Sequence, residues 1–145
     1  MRRLALTLAA CFAPALAHAD VNSILADATK LCADQNNGTF AANGAVKQID
    51  LTGDGTADTL VDEALFTCTT AASLYGGSGG SLIHIFANGT QSDHLVQGWD
   101  TAKWNNSLLI LLAVDGTNCN TIAAQTCYET LTWGKDSFLS VRPAQ

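Results

Sequence analysis

Four cysteines, Cys32, Cys68, Cys119 and Cys127, limit the folding of this chain more than any other feature, because its first residues read as an export signal. Arg2 and Arg3 form a positive start, Leu4 to Leu16 is almost wholly apolar, and Ala17-His18-Ala19 offers the small residues a signal peptidase reads. Cleavage before Asp20 is expected, leaving residues 20–145 as a single secreted domain. The apolar run falls well short of the ~20 residues of a spanning helix, so no transmembrane segment is expected in the mature chain. An alternative reading takes Leu8-Ala9-Ala10-Cys11 as a lipoprotein box with Cys11 as the lipid anchor; the short apolar stretch before Cys11, which continues beyond it, favours the plain signal. Outside the reducing cytosol an even number of cysteines implies two disulfides. Three pairings are open. Cys119 and Cys127 bracket a short polar loop and make the most natural pair, which leaves Cys32 for Cys68. The spacings fit no zinc pattern.

The rest of the sequence suggests one helix followed by strands. Val21, Ile24, Leu25, Ala28, Leu31 and Cys32 recur at helical spacing up to Asn36-Asn37-Gly38, a stripe that turns Cys32 toward the core. Runs rich in β-branched and aromatic residues then alternate with turn residues: Val46 to Leu51, Leu60 to Thr67, Leu82 to Ala87, His94 to Trp99, Leu108 to Val114, Tyr128 to Trp133 and Phe138 to Val141. Asn88-Gly89 and Gly134-Lys135 read as hairpin connections. Leu108 to Leu112 lacks polar alternation and is expected to be a central strand covered on both faces. The expected fold is mainly β (α+β): an N-terminal helix on an antiparallel sheet or small sandwich of about six strands, stapled by disulfides.

Asp50-Leu51-Thr52-Gly53-Asp54-Gly55-Thr56-Ala57-Asp58 carries the strongest chemical pattern. Oxygen-bearing residues stand at loop positions 1, 3, 5 and 9, with glycine at position 6, where a loop wrapped around Ca²⁺ must bend. The carboxylates of Asp50, Asp54 and Asp58, the Thr52 hydroxyl, the Thr56 carbonyl and water are the expected ligands of a structural calcium ion. Asp62 and Glu63 lie within reach, and so dense a set of acids repels itself without a cation. Position 12 is Val61, so this is no EF-hand. The segment resembles the calcium loop of FG-GAP or VCBS-type secreted proteins, in which such a turn joins two strands. Phe66-Thr67-Cys68, the glycine loop Tyr75-Gly76-Gly77-Ser78-Gly79-Gly80-Ser81 and the Cys119–Cys127 loop leading to Leu131-Thr132-Trp133 extend the likeness to a family of small secreted bacterial proteins of unknown function. That resemblance implies compartment, disulfides and fold, and no activity. It also implies a further cysteine pair flanking the glycine loop, whose places are held here by Gly76 and Ser81.

Charge narrows the partners. The chain has 7 basic and 13 acidic side chains; without Arg2 and Arg3, five basic side chains face 13 acidic ones, a surface that repels nucleic acid and anionic lipid. Gly76-Gly77-Ser78-Gly79-Gly80 matches a nucleophile elbow in letters, but that motif needs a strand before it and a helix after it. The same residues with Tyr75 are expected instead to form an exposed binding loop. His84 is expected to be hydrogen-bonded or solvent-facing, opposite Ile83 and Ile85, and His94 to be exposed in a turn. Trp99, Trp104 and Trp133 are either core anchors or groove residues. The expectation is an exported, non-enzymatic, envelope-associated module that binds a protein or glycan of the cell envelope. The alternatives are a small periplasmic inhibitor of a cell-wall hydrolase and, third, a small hydrolase using Ser78 or His84.

Overall fold

Asp20 starts the helix. In the computed structural model, which describes residues 20–105, 107–122 and 125–141, the Asp20 carboxylate accepts the Ser23 N–H at 2.8 Å and the Ser23 hydroxyl accepts the Asp20 N–H at 3.0 Å. This reciprocal cap satisfies two donors that a helix start leaves unpaired. The expected signal 1–19, with Cys11, lies outside the described residues. Helix α1 (Val21–Asp34) buries Ile24, Ala28 and Cys32, whereas Leu31 is exposed, so the buried stripe is narrower than the apolar one. Asn36 and Asn37, at φ 54° and 57°, turn the chain out of the helix, a conformation asparagine tolerates better than most residues.

Among the described residues ten strands follow: β1 (Phe40–Ala41), β2 (Val46–Ile49), β3 (Asp58–Asp62), β4 (Thr67–Cys68), β5 (Ser81–Ala87), β6 (Thr90–Val96), β7 (Gly98–Trp104), β8 (Ser107–Asp115), β9 (Thr126–Trp133) and β10 (Phe138–Val141). They form two four-stranded antiparallel sheets, ordered β2-β3-β5-β6 and β10-β9-β8-β7, with β1 and β4 paired separately. Alternation explains the layering. Leu60, Ile83, Ile85 and Val96 of the first sheet meet Ile110, Leu112, Val114 and Leu131 of the second in one core, joined by Leu51. On the other side of the first sheet, Val61 packs with Ile24 and Ala28 of α1, Ala45 and Phe66. The order is therefore helix, sheet, sheet, with each fully buried aliphatic side chain stabilising the fold by about 1.5–3 kcal/mol.

Two disulfides close the ends of this arrangement. Cys32 joins Cys68 at a Cα separation of 5.6 Å and Cys119 joins Cys127 at 6.3 Å, the expected pairs. The first ties α1 to β4, and on the chain-entropy model it contributes about 3.8 kcal/mol against about 2.6 for the shorter loop. Asn88 and Gly89, at φ 48° and 75°, make the expected β5–β6 hairpin, because a two-residue turn that matches strand twist needs positive φ at both positions.

Several expected boundaries move. Leu60 to Thr67 divides into β3, a 3₁₀ turn at Glu63–Leu65 and β4, since Asp62 accepts the Ala64 N–H at 3.0 Å and ends the strand. His94 to Trp99 spans the end of β6 and the start of β7, with Gln97 as the one residue between the two sheets. His94 is in β6, half-buried, not in an exposed turn. β8 is central, but its second face is only half covered; β3 and the middle of β5 are the strand segments with both neighbours and both faces filled.

Candidate functional site

The glycine loop is a tight turn braced from behind. Gly77 and Gly80 exchange both backbone hydrogen bonds, at 3.1 and 3.0 Å, leaving Ser78 and Gly79 at the tip. Gly80, at φ 113°, lies against the β6–β7 corner so closely that a Cβ there would stand 2.1 Å from the Val96 carbonyl oxygen. Tyr75 does not join the turn's open side. Its ring packs edge-on against Phe40 and Phe66, with centroids 5.7 and 5.4 Å away, and its hydroxyl donates to the Ala28 carbonyl at 2.6 Å. Tyr75 thus anchors the loop to α1, while Gly76 sits directly beside Ser81.

Between this turn and the start of β7 lies a cleft of about 460 Å³, lined by Gly77, Ser78, Gly80 and Ser81 on one side and by Gln97, Gly98 and Trp99 on the other. Asp62 closes its base. One Asp62 oxygen accepts the Trp99 indole N–H at 2.9 Å, which fixes the ring, and the other accepts Ala64 N–H. Gln97 bridges the walls, donating to the Ser78 carbonyl at 3.5 Å and accepting the Thr126 hydroxyl at 2.7 Å. No lysine or arginine is among the lining residues. The three tryptophans divide: Trp99 serves core and cleft, Trp133 stacks edge-on with Phe138 at 4.9 Å, and Trp104 is 70% exposed.

The acidic loop holds itself together through its own amides. Asp50 accepts the N–H groups of Gly53 and Gly55 at 2.7 and 3.0 Å. Asp54 accepts that of Thr56 at 2.7 Å, which with its other hydrogen bonds keeps its carboxyl below the usual range. Asp58 is buried, and one of its oxygens accepts both Leu51 and Thr52 N–H, at 2.8 and 2.9 Å. Among the described residues no three acidic, histidine or cysteine side chains converge on one point. The donor chemistry nevertheless fits calcium: each set is oxygen, an oxygen that accepts one N–H keeps a lone pair for a cation, and Thr52 Oγ1 is buried beside the Asp54 carboxylate.

Two histidine sites were only half visible in the sequence. His84 is buried on the helix side of the first sheet, its Nδ1 2.8 Å from Asp93 and its Nε2 3.1 Å from Glu63. Burial alone pushes the ring's pKa down; the hydrogen bonds to Glu63 and Asp93 outweigh it and hold the imidazole above its ordinary value. His94 faces the space between the sheets, where burial lowers its pKa, and its Nε2 is 2.6 Å from Ser92 Oγ. Ser92 and His94 were missed as a pair, although an i, i+2 spacing in a strand places both on one face. Ser78 and His84, either of which the sequence offered to a hydrolase, occupy separate places: a turn tip and a carboxylate clamp.

No protein-family model, curated protein or solved structure matches the chain. The likeness of the Asp50–Asp58 loop to FG-GAP loops, and of the whole to small secreted bacterial proteins, therefore rests on the residues quoted for it. No helix among the described residues is long and apolar enough to cross a membrane.

Proposed function

We propose that the chain is an exported, non-enzymatic binding module whose ligand seat is the cleft between the Gly77–Gly80 turn and Trp99. One observation carries this reading: a pinned indole shares a cleft with a turn of small residues, Gly77, Ser78 and Gly80, that leave room beside the ring. Without a lining cation, and with Asp62 at the base, the cleft suits a neutral, hydroxyl-rich ligand, so a glycan of the cell envelope fits better than a phosphate or carboxylate. The acidic loop is proposed as a structural calcium site held by Asp50, Thr52, Asp54, Thr56 and Asp58; calcium would neutralise the loop and rigidify the β2–β3 connection, with no part in the cleft.

The test is titration of envelope-derived neutral oligosaccharides against tryptophan emission, with Gly77→Leu as the decisive variant. Gly77 lines the cleft and a Cβ there meets no atom within 4 Å, so a leucine adds bulk at the cleft and leaves the fold alone. Binding should fall at least tenfold in Gly77→Leu with an unchanged melting temperature. Ligand capture indifferent to this variant removes the cleft from consideration. A second reading, a small hydrolase, draws on the Ser92–His94 contact: an imidazole kept neutral next to a hydroxyl is the first requirement of a base-activated nucleophile. Ester turnover lost in Ser92→Ala and retained in Gly77→Leu would favour it.

A further inference from the structure

We propose that His84 is a proton-operated latch on the cleft, holding the turn beside Trp99 in place while its ring is charged and releasing that turn when the ring is neutral. This rests on the reading of the cleft as a ligand seat and adds the regulation of that seat. The ring is gripped at both nitrogens: Nδ1 stands 2.8 Å from Asp93 on β6, and Nε2 stands 3.1 Å from Glu63, the first residue of the 3₁₀ turn Glu63–Leu65. Only the imidazolium has an N–H for each carboxylate. A neutral ring carries one N–H, so its other nitrogen presents a lone pair to an ionised oxygen and that contact opens.

Glu63 is the contact that gives way. Asp93 lies directly opposite His84 in the β5–β6 ladder, and Gln91 donates to both of its oxygens, at 2.9 and 3.2 Å, so Asp93 stays beside the ring. Glu63 belongs to a single turn between β3 and β4. Among the described residues, Glu63 and Asp93 are the charged groups that act on His84. Across the ladder β3 sets Val61 against it, and α1 turns Ile24 and Ala28 to this side of the sheet. Tyr75 is the one ionisable side chain between β4 and β5, and its hydroxyl is committed to the Ala28 carbonyl.

The same turn reaches the cleft. Ala64, next to Glu63, lines it, and the Ala64 N–H is held by one oxygen of Asp62 at 3.0 Å while the other oxygen holds the Trp99 indole N–H at 2.9 Å. A turn displaced at Glu63 therefore moves the carboxylate that fixes the indole. Each step from His84 to Trp99 is a direct contact or an adjacent residue, a contiguous path of the kind that coupling needs. The folded pKa of His84 is raised, so the latch is fully closed below about 6.5 and opens as pH rises through the folded value.

NMR of the indole N–H groups in isotope-labelled, disulfide-bonded protein tests this between ~pH 5.5 and ~pH 9. The Trp99 signal, assigned by its loss in Trp99→Phe, should shift with one midpoint above about 6.5, and the signals of Trp104 and Trp133 should not follow it. In Glu63→Gln, whose amide can donate to Nε2 or accept from it, Trp99 should stop titrating while the His84 ring still does. A flat Trp99 signal in the wild type overturns the proposal, as does one that still titrates in Glu63→Gln. Affinity for envelope-derived neutral oligosaccharides should fall at least about fivefold from ~pH 5.5 to ~pH 8.5, and equal affinity at both overturns the regulation. A Trp99 signal that titrates in a protein capturing no oligosaccharide at either pH ends the ligand seat and leaves the latch standing.

Discussion

Replacing Asp58 by alanine separates two roles that the sequence assigns to a single carboxylate. As a calcium ligand, Asp58 would matter only when the ion is present. As the structure has it, one buried oxygen holds the Leu51 and Thr52 amides at 2.8 and 2.9 Å, and Leu51 is 1% exposed in the core shared by both sheets. Hydrogen bonds to a charged group contribute about 1.5–3 kcal/mol each, and a buried amide left without an acceptor is costly in its own right. The Thr52 amide is only part-buried and regains water, so the loss centres on Leu51 and comes to about 3 kcal/mol. For a domain of this size that corresponds to a fall in melting temperature of roughly 10 °C. Asp58→Asn, which keeps an acceptor oxygen, should lose about 1 kcal/mol. Calorimetry in excess EGTA reads the effect with no ion contributing. A fall under ~2 °C in Asp58→Ala, or one that appears only in calcium, would refute the clamp.

Asp54→Ala should behave in the opposite way, weakening calcium binding and lowering the melting temperature in millimolar Ca²⁺ with little change in chelator; a wild type with neither a heat of binding nor a calcium-dependent melting rise ends the metal assignment. Gly76→Cys combined with Ser81→Cys should close a third disulfide, because a Cβ on Gly76 stands 3.5 Å from that of Ser81, within the range for a bridge. Two titratable thiols in the purified double variant would contradict this. For His84 the sign follows from its raised folded pKa: the stabilisation it gains from Glu63 and Asp93 is complete below its unfolded pKa of about 6.5 and is lost as pH rises through the folded value. Melting of wild type minus His84→Gln should therefore be largest near pH 5.5 and shrink above neutrality, and a difference that grows with pH would rule the clamp out.

The elements that were legible are those set by local chemistry. Asn88-Gly89 fixed its hairpin because few other dipeptides accept two positive φ angles, and β10 kept its expected limits because Gly134-Lys135 and a short apolar run bound it. Leu108 to Leu112 misled for a physical reason: hydrophobicity along a strand reports that its face is apolar, not that anything of the same chain covers it. Asp62 ended β3 early through a side-chain hydrogen bond that no periodicity records. Of the candidate site, the glycine turn was visible as letters, but Trp99 reaches it only because Gln97 carries the chain from one sheet to the other. Tyr75 read as a loop residue and proved an anchor, since its partners Phe40 and Phe66 are distant in sequence.

Each disulfide joins cysteines that are consecutive within residues 20–145, and among the described residues no strand of the first sheet pairs with one of the second. For a chain delivered amino-terminus first into an oxidising compartment, order of arrival then does the work of selection. Cys68 would emerge when Cys32 is the one free thiol of residues 20–68 waiting, with α1 and β1 to β3 already delivered and β5 and β6 still to come. Cys127 follows Cys119 by 8 residues and finds its partner before any other is exposed. In such a compartment an oxidant that pairs thiols as they appear would make the native bridges directly, and no reshuffling catalyst would be needed.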